Sequence, residues 1–213
     1  IDGGANIGLF ANSIFVNSSN LSVYSYEPSV WSYNQSIVNN SSFKLRHTVV
    51  NKALSDSIGE HTLYDYNNPG VNTSHASLHS DVFKDIYYQE DISSVVVSTT
   101  TLDNDFLPVK KNILLIKLDL EGHEYSALLG AQTLLATNPP VFILIEFNHM
   151  NAVTGVSFYK LSKLLSNQYL PFRLLPRGHL LPLLNLPLLL TEIYGYQNIV
   201  FVRKNVDLSV FPF

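Results

Sequence analysis

Two rhythms of apolar residues alternate along the 213-residue chain: short runs dense in β-branched and aromatic side chains, and longer segments with apolar residues at helical spacing. The chain opens on the end of such a run, Ile1-Asp2, followed by the turn Gly3-Gly4-Ala5-Asn6-Ile7-Gly8. Ile7, Phe10, Ala11, Ile14 and Phe15 then follow the i, i+3, i+4, i+7, i+8 pattern of an amphipathic helix, which Ser18 to Asn20 ends. Leu21 to Tyr26 reads as a strand stopped at Glu27-Pro28, because proline cannot extend a central strand. Ser29 suits the N-cap of a second helix carrying Val30, Trp31, Asn34 and Ile37.

Leu45 to Ala53 predicts a third strand, with Leu54-Ser55-Asp56 at its end, and Gly59 to Tyr66 an extra one. Asn67 to Asp91 is polar, with a Pro69-Gly70 turn signal and two histidines, His75 and His79, which read as loop residues in a lid candidate. Ile92 to Thr99 returns to strand character, and Leu102-Asp103 opens a short helix or turn. Ile113 to Leu118 is apolar except for Lys117, as a central parallel strand covered on both faces should be, and it runs into Asp119 and Glu121-Gly122-His123-Glu124. Tyr125, Leu128, Leu129 and Leu135 mark one helix that stops before Pro139-Pro140. Val141 to Phe147 is another buried strand, Ser157 to Leu165 a helix and Asn198 to Val202 the final strand. Tyr169 to Tyr196, rich in Leu and Pro, has no clear period.

Strands alternating with helices argue for an open α/β sheet whose ligands bind outside the carboxyl ends of the strands. Polar residues collect at those ends: Asp2/Gly3, Glu27, Ala53/Asp56, Asp119/Glu121 and Glu146/Asn148. With 46% hydrophobic residues the chain can bury one sizeable core. Its net charge of -4 offers no basic surface for nucleic acid. No membrane span is expected, since Pro182 and Pro187 break the most apolar tract, Leu180 to Leu190. The absence of cysteine excludes a disulfide scaffold and thiolate chemistry without identifying the compartment, which we expect to be the cytoplasm. Sequons at Asn17, Asn20, Asn34, Asn39, Asn40 and Asn72 reflect an Asn- and Ser-rich composition. Because the chain starts inside its first strand, residues 1–213 are expected to be a single domain cut from a longer chain.

The turn Asp2-x-Gly4-x-Asn6-x-Gly8 is neither the dinucleotide fingerprint nor a P-loop. It should aim free backbone N–H groups and a positive helix end at a polar ligand. Glu27 follows Gly4 by 27 − 4 = 23 residues, about where a carboxylate takes a ribose diol in doubly wound folds. A nucleoside cofactor without a required pyrophosphate fits this spacing.

With Tyr26-Glu27-Pro28, Lys52-Ala53-Leu54-Ser55, Thr100-Thr101-Leu102-Asp103, Ile116-Lys117-Leu118-Asp119-Leu120-Glu121-Gly122-His123-Glu124 and Leu129-Gly130-Ala131 following in order, the chain resembles FkbM-type S-adenosylmethionine-dependent methyltransferases over roughly residues 1 to 147. The resemblance implies a class I methyltransferase fold, Rossmann-like and doubly wound, with a mostly parallel seven-stranded sheet and one antiparallel strand near the C-terminus. It also implies O-methylation of a sugar or natural-product hydroxyl with S-adenosylmethionine as cofactor. Asp2, Gly3, Gly4, Ala5 and Asn6 would then form the cofactor turn and Glu27 would hold the ribose. Ala53 and Leu54 would flank the adenine, and Asp119 would sit beneath the reacting methyl.

An alcohol acceptor needs a base, and the candidates are Asp119, Glu121, His123, Glu146 and His149. Asp119, Glu146 and Asn148 would also supply hard oxygen ligands for Mg²⁺, although no metal is expected. The acceptor is expected to be a small molecule or glycan, with Tyr87, Tyr88, Tyr194 and Tyr196 available to stack on a sugar face. Other readings are a polyketide, lipid or protein acceptor, and a non-catalytic cofactor- or glycan-binding module. The full chain could carry a fused glycosyltransferase or other domain.

Overall fold

The computed structural model describes residues 1–67, 75–109 and 111–210, so the Pro69-Gly70 turn and the Asn72 sequon lie outside the described residues. In chain order the strands and helices are β1 (Asp2–Gly3), α1 (Leu9–Asn17), β2 (Val23–Tyr26), α2 (Val30–Asn39), β3 (His47–Val50), β4 (Ala53–Leu54) and β5 (Gly59–Tyr66). Then come α3 (Ser80–Asp85), β6 (Ile92–Thr100), α4 (Leu102–Phe106), β7 (Leu115–Leu118), α5 (Glu124–Leu129), α6 (Gln132–Thr137), β8 (Phe142–Phe147) and α7 (His149–Val153). The chain finishes with α8 (Phe158–Leu165), β9 (Tyr169–Leu174), β10 (Leu180–Pro182), α9 (Leu188–Thr191) and β11 (Gln197–Arg203).

The main sheet has eight strands in the order β10-β9-β11-β8-β7-β1-β2-β3, one more than expected. From β3 to β8 neighbouring strands are parallel, whereas β11 runs antiparallel to both β8 and β9. The eighth strand, β10, folds back antiparallel on β9 with Leu180 opposite Leu174, so two strands oppose the rest. It comes from the stretch without a period, and Pro182 within it is tolerated because this is the sheet edge.

Three further expectations are corrected. The stretch from Leu45 to Ala53 is not one strand: Asn51 turns the chain, donating to the carbonyls of Glu27 and Pro28 at 2.9 Å each. Beyond it β4 leaves the main sheet to pair with β6 in a separate sheet of order β4-β6-β5. The helix expected from Tyr125 to Leu135 is split into α5 and α6 at Gly130, where a Cβ would lie 2.0 Å from the Ser55 carbonyl oxygen. The backbone approaches so closely there that Asp103 caps α6 from outside, accepting from the N–H groups of Thr133 and Leu134. In α2 the buried side chains are Ser32 and Ser36, while Val30, Trp31 and Ile37 face solvent. The reason is steric, because a Cβ at Gly8 would lie 2.5 Å from Ser36 Oγ and from Asn40 Nδ2.

The principal core lies along β7, β8 and β11, where Ile116, Leu118, Ile143, Ile145 and Ile199 meet Leu128, Leu134 and Leu161 of the covering helices. That packing fixes the carboxyl ends of β7 and β8. Among the described residues no helix is long and apolar enough to cross a membrane.

Candidate active site

The glycine turn bends where its sequence allows, with positive φ at Gly4 (72°), Asn6 (47°) and Gly8 (81°). A Cβ on Gly4 would lie 1.8 Å from the Asp119 carbonyl oxygen, so the first turn and the β7 end fit together only with glycine there. The backbone N–H groups expected to face a ligand are instead used inside the protein. Gly4 and Ala5 both donate to the Tyr26 carbonyl at 3.1 Å, and Gly8 donates to Ala5. The Asn6 N–H donates to Glu27 Oε2 at 2.8 Å, while Ser29 N–H donates to Oε1 at 2.9 Å. Glu27 therefore clamps the turn to the start of α2 and still reaches the cavity beside it. Burial pushes its carboxyl up to about 7, opposed by those two donors.

The cavity opens at the carboxyl ends of β1, β2, β7 and β8. Gly4, Asn6, Glu27, Ala53, Leu54, Asp119, Glu121, His123 and Glu146 line it. Asp2, Gly3 and Ala5 do not. Leu63, Ala76 and Leu78 add an apolar wall that the sequence did not announce. It forms because Ser77 pairs with Tyr64 of β5 and donates its hydroxyl to the Glu121 carbonyl, drawing residues 76–78 over the site.

Fully buried Asp2 sits opposite Lys117 in the sheet register. Lys117 Nζ lies 3.4 Å from Asp2 Oδ1 and 3.1 Å from Asp119 Oδ2. Against the cost of burial, the two carboxylates hold the Lys117 ammonium above its usual range. Lys117 is the supporting residue that sequence reasoning passed over. Its signal was its own oddity, a lone charge in a strand covered on both faces, which cannot stay buried without a partner.

Asp119, Glu121 and Glu146 converge, each offering an oxygen within 4.8 Å of the others. Asp119 and Glu146 stand side by side at the ends of β7 and β8, and burial, followed by the neighbouring Asp119, pushes the Glu146 carboxyl up. Glu121, at φ 52°, is pushed up to about 9 by burial and then by Glu146 and Asp119, and its Oε2 is buried with no hydrogen-bond partner. Asn148, named beside Asp119 and Glu146 as a candidate oxygen ligand, is used elsewhere. Its side chain caps α7, with Oδ1 accepting from Met150 N–H at 2.8 Å. Glu124 is likewise occupied: it accepts from the N–H groups of Leu120 and Gly122 and from Asn151 Nδ2, tying the 119–124 loop together.

His123 is buried with both ring nitrogens engaged, Nε2 at 3.0 Å from Ser55 Oγ and Nδ1 at 3.0 Å from His79 Nε2. Burial, then the neighbouring His79 and His61, lower it to about 4, so it is neutral at ordinary pH. His79, read from sequence as a loop residue, is thus a packed partner of His123. His149 is exposed on the first turn of α7 and does not line the cavity.

Of the four tyrosines offered for the acceptor, Tyr88 and Tyr196 are exposed, at 84% and 72%, whereas Tyr194 packs 5.3 Å from the Phe147 ring. Tyr87 joins a ring cluster with Tyr66, His75 and Phe83 and is held neutral by burial and then by Glu121.

The profile of the methyltransferase FkbM domain matches residues 2–170. The crystal structure of methyltransferase FkbM from Methylobacillus flagellatus KT is similar in fold, with a TM-score of 0.57 and 18% identity, covering 94% of this chain and 42% of that one. The chain thus spans less than half the length of that structure. No curated protein matches. A turn of this form joined to acidic strand ends, together with a family match over most of its length, places the chain in the FkbM methyltransferase family.

Proposed function

We propose that the cavity binds S-adenosylmethionine and that the chain transfers its methyl group to a hydroxyl of a saccharide. The observation that carries this reading is the Asp119–Glu146 carboxyl pair, standing in the same cavity as Glu27. The lining fits the cofactor: Glu27 keeps lone pairs for a ribose diol, and Ala53, Leu54, Leu63 and Leu78 offer an apolar slot for a base. The cofactor supplies a methyl group already activated by its sulfonium charge.

What remains for the protein is to hold the acceptor oxygen in line and to remove its proton. As the methyl–sulfur bond broke and the O–C bond formed, leaving the neutral thioether of S-adenosylhomocysteine, an ionised carboxylate of the Asp119–Glu146 pair would take the hydroxyl proton. Lys117 keeps Asp119 aimed, and Glu124 holds the loop that carries Glu121. Protonated Glu121 has a buried oxygen in want of a partner, and an acceptor hydroxyl can supply one. Rings of Tyr66 and Tyr87 beside it suit the apolar face of a sugar.

Isothermal titration with S-adenosylmethionine tests the first step, with Glu27→Ala expected to weaken binding. Release of S-adenosylhomocysteine over a panel of sugar, lipid and peptide acceptors tests the second. Absence of cofactor binding to folded protein defeats the whole reading, and turnover on non-sugar acceptors alone defeats the saccharide part.

A further inference from the structure

The segment following β9 departs from the rest of the surface. Between Leu181 and Ile193, seven large apolar side chains are exposed: Leu181, Leu184, Leu186, Leu188, Leu189, Leu190 and Ile193, with Leu189 at 86%. Only Leu183 and Thr191 are buried in this stretch. Scattered apolar residues are ordinary on a protein surface, but this many in one short stretch marks an interaction surface.

Two features indicate what it meets. The first is charge. From Phe172 to Thr191 there is no Asp or Glu, while Arg177 and His179 are exposed beside the leucines in a chain whose net charge is -4. The neighbouring helix α8 adds exposed Lys160 and Lys163. It is joined to this arm through Glu192, whose carboxylate accepts from the N–H groups of Phe158 and Tyr159 and is thereby occupied. The second is backbone form. Pro182 and Pro187 leave only a four-residue helix, α9, and a three-residue edge strand, so there is no regular helix face or long strand edge for a protein partner to complement. Apolar side chains on an irregular backbone with a cationic rim suit shallow insertion at the boundary between headgroups and acyl chains, where backbone groups stay hydrated.

We propose that the arm from Leu181 to Ile193 docks the protein on an anionic lipid bilayer. The leucines enter the acyl boundary and Arg177, with Lys160 and Lys163, meets lipid phosphates. The arm leads directly into Tyr194, whose ring packs against Phe147, the neighbour in sequence of the cavity residue Glu146, so docking places the membrane next to the cavity.

Vesicle flotation tests this, using phosphatidylcholine alone and phosphatidylcholine mixed with phosphatidylglycerol. Wild-type protein is expected to float with the anionic vesicles, less so in high salt, and hardly at all with the neutral ones. Leu188→Glu/Leu189→Glu, whose side chains are exposed, should keep the wild-type circular dichroism and unfolding midpoint yet lose at least about tenfold in partitioning. Arg177→Glu should weaken binding and flatten its salt dependence. Failure of the wild type to float, or flotation undiminished in the double variant, overturns the proposal. So does a wild-type dimer that the double variant dissolves without any vesicle binding, since a second copy would then be the occupant. The readout uses no cofactor, so its failure is distinct from failure of the methyl-transfer reading.

Discussion

Lys117 Nζ lies 3.1 Å from Asp119 Oδ2 while also reaching buried Asp2, so a single ammonium joins the floor of the glycine turn to the carboxylate at the mouth of the cavity. Removing it strands the Asp2 carboxyl in the sheet centre. Lys117→Met should cost about 3–5 kcal/mol in urea unfolding, the usual penalty for breaking a buried pair from one side. Asp2→Asn/Lys117→Met should recover part of that loss, because no buried charge is then left unpaired. Equal stabilities of wild type and Lys117→Met would show that the pair does not hold the turn.

Cofactor affinity should depend on the protonation of Glu27. Its carboxyl, pushed up by burial to about 7, accepts from ribose hydroxyls with both oxygens only when ionised. Affinity for S-adenosylhomocysteine, a neutral analogue at the reacting centre, should rise as pH increases through about 7 and then level off. Glu27→Gln should flatten that rise and weaken binding about tenfold, within the range of one charged hydrogen bond. Titration calorimetry between pH 6 and 8, values bracketing the shifted group, reads both effects.

Glu146→Gln should lower kcat by about 100-fold or more, the contribution of a positioned proton acceptor, with little change in cofactor affinity. Asp119→Asn should lower both, since Asp119 also faces Lys117 beneath the turn. A Glu146→Gln variant with wild-type kcat would move the base elsewhere.

His123 should not act as the base. Neutral until about pH 4, with both nitrogens bonded, it contributes no limb to the rate profile near the ordinary histidine range. Because its folded value lies below the unfolded 6.5, stability attached to it is lost as pH falls from 6.5 through about 4. His123→Gln should therefore shift the acid limb of the stability curve and leave the pH dependence of kcat in place.

Glu121 acts in the opposite direction. Its folded value, about 9, lies above the unfolded 4.5, so the folded state binds the extra proton and stability falls as pH rises between those limits. Glu121→Gln should remove that decline, raising the thermal midpoint at pH 9 by about 3 °C or more while changing it little at pH 5. If Glu121 also binds the acceptor, the same variant should raise KM more than it lowers kcat.

Much of this protein is legible in its one-dimensional pattern. Strands and helices with a local period, such as β5, β6, β8 and α8, fall where alternation, apolar runs and the Ser157 cap place them, because each is decided by neighbours close in sequence. Gly4, Asn6, Glu27, Asp119 and Glu146 could be expected beside one cavity because strand ends in an open α/β sheet are where polar residues collect. Decisions made between distant segments could not be read this way. Gly130 breaks a helix because of Ser55, and α2 buries serines because of Gly8. The N–H groups of Gly4, Ala5 and Asn6 face Tyr26 and Glu27 rather than the cavity. His79 leaves its loop to bond His123, and Lys117 finds its two carboxylates only once β1 and β7 are paired. Periodicity records which face of an element is apolar. Which partner meets that face, and which buried polar group it must satisfy, is set by packing across the sheet.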